Sequence, residues 1–86
     1  MMNKDELFKQ LPETLKEELH DVFKYIDMSR AVDNDGYSQI FRDIAHEEYF
    51  HAKHIKDIIL DHGDSIPNIN EINTLFVKAE NMLKDS

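Results

Sequence analysis

Apolar residues recur along this chain at intervals of three and four, the spacing of one face of an α-helix. The first run is Leu15, Leu19, Val22 and Ile26, continued by Ser29. It predicts a helix over 12–33 with Pro12 in the first turn, where a fixed φ fits and a missing N–H forfeits no bond. The second run, Tyr37, Ile40, Phe41, Ile44, Ile55, Ile58 and Ile59, predicts the longest helix, over 37–62. The Asn34-Asp35-Gly36 turn precedes it and Gly63 stops it, as a helix C-cap would. A third run, Ile69, Ile72, Leu75, Phe76, Ala79 and Leu83, predicts a helix over 69–84, with Asn68 and Glu71 at the spacing of a capping box. The Met1–Leu11 segment, with Leu7, Phe8 and Leu11, is expected to form a short extra turn or a packing arm.

These elements define an all-α chain. The first turn is short, so the first two helices are expected to lie antiparallel as a hairpin, with a shorter C-terminal helix added. The two glycines and two prolines of the 86 residues all fall at expected helix boundaries, so 1–86 reads as one helical domain. A chain this short buries a small core, and such cores often depend on a metal or a partner subunit.

The second helix carries an interruption. Counting along its face from Ile44, the next positions are Glu48, His51 and Ile55, so two expected core positions are polar. Glu48 and His51 form a Glu-x-x-His pair whose side chains sit about one turn apart on the same side. On the first helix Glu18 accompanies Leu15, Leu19, Val22 and Tyr25, whereas Glu17 shares the polar side with Asp21 and Lys24. Carboxylates turned inward cost several kcal/mol each unless cations, protons or hydrogen bonds compensate. A metal ion shared by Glu18, Glu48 and His51 would supply that compensation.

Composition narrows the chemistry. The chain has no cysteine, which removes disulfides, thiolate zinc sites and iron–sulfur clusters and leaves carboxylates and imidazoles as ligands. Ten Lys and Arg against eighteen Asp and Glu give a formal charge of −8, which argues against nucleic acid as a partner. No apolar run approaches the roughly 20 residues of a membrane span, and the start of the chain lacks a basic-then-apolar signal, so no membrane association and a cytoplasmic location are expected.

The segments Glu17-Glu18-Leu19-His20-Asp21, Asp35-Gly36-Tyr37-Ser38-Gln39-Ile40 and Ile44-Ala45-His46-Glu47-Glu48-Tyr49-Phe50-His51-Ala52-Lys53, with Tyr25 seven residues after Glu18, resemble the ferritin-like superfamily. The likeness is to rubrerythrin-type and encapsulated-ferritin-type chains and covers about Leu15 to Gly63. It implies that Glu18 and Glu48 bind or bridge iron and that His51 binds it terminally. A complete ferritin-like chain repeats the Glu and the Glu-x-x-His, but the segment after Gly63 offers only Glu71 and Glu80 and no histidine. One chain therefore holds half a site, and a homodimer or higher homo-oligomer would complete a ferritin-like four-helix bundle.

The expected activity is oxidation of Fe(II) with dioxygen or peroxide at a di-iron centre between two subunits, as a ferroxidase or peroxidase-like oxidoreductase. Zinc or manganese in a non-catalytic module fits the same three ligands, and a plain helical interaction domain is a further reading. Tyr25 is either a core tyrosine or a hydrogen-bonding neighbour of a ligand carboxylate, and His54 is either exposed or an accessory ligand. The sequence identifies no electron donor or iron-storage partner, and its last residues do not resemble an encapsulin cargo tail.

Overall fold

The computed structural model describes residues 4–85 as three helices: α1 (Lys4–Ala31), α2 (Asp35–Asp61) and α3 (Ile69–Lys84). Among the described residues there is no strand. No described helix is long and apolar enough to cross a membrane.

Helix α1 starts eight residues before the expected boundary, so Pro12 lies inside it rather than in its first turn. Within a helix proline forfeits one hydrogen bond and crowds the preceding turn. Here the turns on both sides are held by packing. Leu11 lies against the core, and the Phe8 ring stacks on His62 beyond the end of α2, with centroids 3.8 Å apart. The residues expected as a packing arm are thus the first turns of α1.

Helix α2 begins two residues earlier than the glycine of the turn suggested. Asn34 is its N-cap, in an extended conformation, and its side chain accepts a hydrogen bond from the Tyr37 N–H at 3.0 Å. Asp35 and Gly36 therefore form the first turn, where Asp35 also complements the helix dipole. A Cβ at Gly36 would stand 3.1 Å from the capping oxygen of Asn34, which favours glycine there. Beside the turn, the Ser38 hydroxyl donates to the Ser29 carbonyl at 2.8 Å and joins the two helices.

The far end of α2 closes as expected. Gly63 adopts φ +88°, its N–H bonds the Leu60 carbonyl and the Asp64 N–H bonds that of Ile59, the paired bonds of a Schellman motif. Helix α3 departs from expectation at its start. Asn68 is left-handed (φ 57°) and makes no side-chain cap, so the Asn68–Glu71 capping box does not form. Glu71 pairs instead with Lys16 of α1 at 3.1 Å.

The core combines Leu15, Leu19, Val22 and Ile26 of α1 with Ala45, Tyr49, Ala52 and Ile59 of α2, Ile66 of the loop, and Ile72, Phe76 and Ala79 of α3. The α1 stripe is the expected one. On α2 the expected Ile59 is buried, but the rest of the buried stripe, Ala45, Tyr49 and Ala52, is displaced by one residue from the expected Ile44/Ile55/Ile58 line, because Ala45 and Ala52 are small enough to sit beneath α1. Ile44 and Ile55 become half-buried flanks, and Ile40 and Ile58 are exposed. Helix α3 packs on its own hairpin through Ile72, Phe76 and Ala79. The molecule is flat, 45 × 30 × 15 Å, with α3 over one side of the hairpin.

Candidate metal centre

Antiparallel pairing determines which residues meet. The turn is centred near Asp33, so Glu18, fifteen residues before it, and Glu48, fifteen after it, lie level with one another. Their helices place Glu18, Glu48 and His51 on one flank of the hairpin, away from the Lys16, Phe23, Tyr49 and Lys56 side chains that contact α3.

The three side chains converge. One ligand atom from each lies within 4.8 Å of the others, and this is the one group of three His, Asp or Glu residues so arranged among the described residues. His51 Nδ1 is 3.8 Å from Glu18 Oε2 and 3.9 Å from Glu48 Oε1. Both separations exceed a hydrogen bond. Two ligands at about 2.0–2.2 Å from a shared transition metal stand roughly 3.4 Å apart in tetrahedral geometry, so a small rotamer adjustment closes these distances onto an ion.

Burial is graded across the group. Glu18 and Glu48 keep 23% and 19% of their side-chain surface exposed, and His51 keeps 60%. The expectation that Glu48 and His51 occupy core positions of a single chain is therefore corrected: the one-residue shift of the α2 stripe puts them at its edge. Within this group Glu18 Oε2 is closed off from solvent and has no hydrogen-bond partner. A buried carboxylate oxygen in that state is a position to which a cation fits.

The flanking residues sort differently. Tyr25 is half-buried, stacked on Phe41 with centroids 6.3 Å apart and with Lys24 Nζ 5.6 Å from its ring. Among the described residues no hydrogen bond links Tyr25 to Glu18, Glu48 or His51, so it stands as a packing tyrosine. His54 is exposed and lies outside the converging group. His20 and His46 are exposed as well, and His62 pairs with Asp64 at 2.9 Å.

One polar pair went unread in the sequence. The Tyr49 hydroxyl donates to Glu80 Oε1 at 2.5 Å, joining α2 to α3 beneath the edge-to-face contact of Tyr49 with Phe76. Burial first, and then the hydrogen bond to the Glu80 carboxylate and its charge, push the phenol up to about 12. Glu80 lies on a polar helix face thirty-one residues away from Tyr49, and no local spacing pairs them.

Searched against known protein families, the chain matches no family model, and comparison with curated proteins and with solved structures gives no match.

Proposed function

We propose that the chain is a ferritin-like, non-haem di-iron carboxylate protein in which two copies pool Glu18, Glu48 and His51 and oxidise Fe(II) with dioxygen or peroxide. The observation that carries this reading is the convergence of three ligand groups around Glu18 Oε2, a buried carboxylate oxygen with no hydrogen-bond partner. The charge balance supports it. Two copies bring four carboxylates and two imidazoles, and four negative charges neutralise two divalent cations.

The donor set of oxygen and imidazole nitrogen suits iron. Iron held here supplies one-electron redox chemistry on each ion. The chain's own residues hold and orient: Glu18 reaches the site from α1, while Glu48 and His51 reach it from consecutive turns of α2. The packed α1–α2 core keeps these backbones at fixed separation, and the exposed side of His51 leaves the site open toward a second copy.

The test is anaerobic Fe(II) titration followed by admission of oxygen. The expected result is two Fe(II) per dimer, rapid oxidation with a di-ferric absorption band, and loss of both in Glu48→Ala. Equal and negligible metal in wild type and Glu48→Ala would overturn the proposal. A second reading, one zinc or manganese ion per chain without turnover, is favoured by the fact that all three ligand atoms already lie within 4.8 Å in one chain. Stoichiometric binding to a monomer with no Fe(II) oxidation would select it.

A further inference from the structure

The first turns of α1 are coupled only weakly to the rest of the helix. Pro12 has no N–H to offer the Phe8 carbonyl, so the hydrogen-bond ladder loses one rung there. The Thr14 hydroxyl bonds the Gln10 carbonyl at 3.2 Å, and such back-bonding also loosens a helix. Residues 4–11 make about two turns, too few to stay helical in water unaided. Their order therefore depends on what their side chains touch. Among residues 4–11 only Phe8 and Leu11 are not exposed. Leu11 lies against the core, and Phe8 stacks on His62 with ring centroids 3.8 Å apart and planes 20° from parallel.

His62 is the fastening. Its Nδ1 stands 2.9 Å from Asp64 Oδ2, and its side chain keeps 30% of its surface exposed, so the ring meets both a carboxylate and protons from solvent. Between these first turns and the loop after α2 lies a cavity of about 450 Å³, whose charged walls are Asp5 and Lys9 of α1 and Asp64 of the loop. Asp61, before His62 on α2, is exposed, and among the described residues α3 contributes no wall. We propose that residues 4–11 are a pH-sensitive strap, hinged at Pro12, closed while His62 is protonated and released as His62 loses its proton. A positive imidazolium is attracted at once by the face of the Phe8 ring and by the Asp64 carboxylate. The neutral ring keeps a hydrogen bond to Asp64 but loses the attraction of a cation for Phe8. Asp5 and Lys9 carry opposite charges and move together with the strap, which leaves His62 beside Asp64 as the charge that changes. Closing takes up a proton, so the strap tightens as pH falls and loosens as pH rises, across the range in which histidine changes charge. Release removes one wall of the cavity and uncovers Ile59, which is 1% exposed in the closed form.

Amide hydrogen exchange on the full metal-free chain tests this, with protection factors compared at about pH 5 and about pH 8. The amides of Phe8, Lys9, Gln10 and Leu11 are expected to be better protected at the lower pH by roughly two- to thirtyfold, the factor of one cation–π contact. Leu19 and Val22, in the buried part of the same helix, are expected to change much less, which separates opening of the strap from loss of the whole fold. His62→Gln should leave the strap weakly protected at both pH values. A wild-type strap equally protected at both, or as well protected as Leu19 and Val22, overturns the proposal. So does a pH ratio that persists in His62→Gln, since another group would then carry it. Should that variant not fold, Asp64→Asn takes its place. It keeps the ring, removes the carboxylate and is expected to shrink the ratio, and an unchanged ratio overturns the strap.

Discussion

A carboxylate oxygen closed off from water without a hydrogen bond costs about 1–3 kcal/mol, and Glu18 Oε2 is in that position. Replacing Glu18 with leucine removes that penalty while extending the apolar stripe of Leu15, Leu19 and Val22. The metal-free variant is expected to unfold at a higher temperature than wild type, by about 4–8 °C per kcal/mol gained. Thermal melts with and without Fe(II) or Zn(II) check this: Glu18→Leu should start higher and no longer respond to metal. A lower metal-free melting temperature would mean that Glu18 is satisfied in the folded chain. Tyr49 gives a second prediction at this scale. Its phenol is near 10 in the unfolded chain and is pushed up to about 12 in the folded one, so between those values the unfolded chain has lost a proton that the folded chain keeps. The stabilisation is complete below about pH 10 and is lost as pH rises toward about 12. Urea denaturation across this window should show stability falling in wild type and a flatter profile in Tyr49→Phe, whose stability near neutrality is lower because α3 loses its bond to α2.

At the scale of elements, two helix ends are held by single residues. Gly63 holds φ +88° with nothing near the position of a Cβ, so Gly63→Ala is disfavoured by backbone strain alone and is expected to cost about 1 kcal/mol. Asn34→Ala removes the acceptor for the Tyr37 N–H and should cost a similar amount, about 1 kcal/mol, read as a lower denaturation midpoint at unchanged slope. These ends also show what sequence can convey. Gly63 was legible because its preference is local, and the α1 stripe was legible because four large aliphatic residues repeat without interruption. The start of α1 was not, because Pro12 is tolerated through contacts of Phe8 with His62, fifty-four residues away. The buried face of α2 was legible at Ile59 and misjudged by one position before it, because large isoleucines mark one stripe while alanines permit closer approach along the next. The convergence of Glu18, Glu48 and His51 was nonetheless legible, since their meeting depends on periodicity and antiparallel register and survives a shift of one residue in the buried line. The Tyr49–Glu80 bond depends on how α3 docks, which no pattern within α2 or α3 specifies.

For the whole molecule, folding, metal and a second copy are coupled in the proposed function. The hairpin by itself brings Glu18, Glu48 and His51 together, but it leaves an apolar flank of α2 uncovered and a carboxylate oxygen without a hydrogen bond. Both deficits lie on the same side of the molecule, so in the proposed function one event, closure of two copies around metal, would relieve both. Ions that bind the closed dimer and not the unfolded chain add stability in proportion to the logarithm of their concentration, about 2.7 kcal/mol at one hundred times the dissociation constant. For a chain of 86 residues this corresponds to a rise in melting temperature of roughly 10 °C or more. The melting temperature should also rise with protein concentration when Fe(II) is present, because the bound state contains two chains. Without metal, repulsion between two strongly acidic chains weakens association, and added salt should favour the dimer only slightly compared with stoichiometric Fe(II). Light scattering at fixed protein concentration separates the two causes. A dimer that forms equally well in salt alone would place the driving force in the apolar flank, and a monomer that gains thermal stability from Fe(II) would place the metal within one chain.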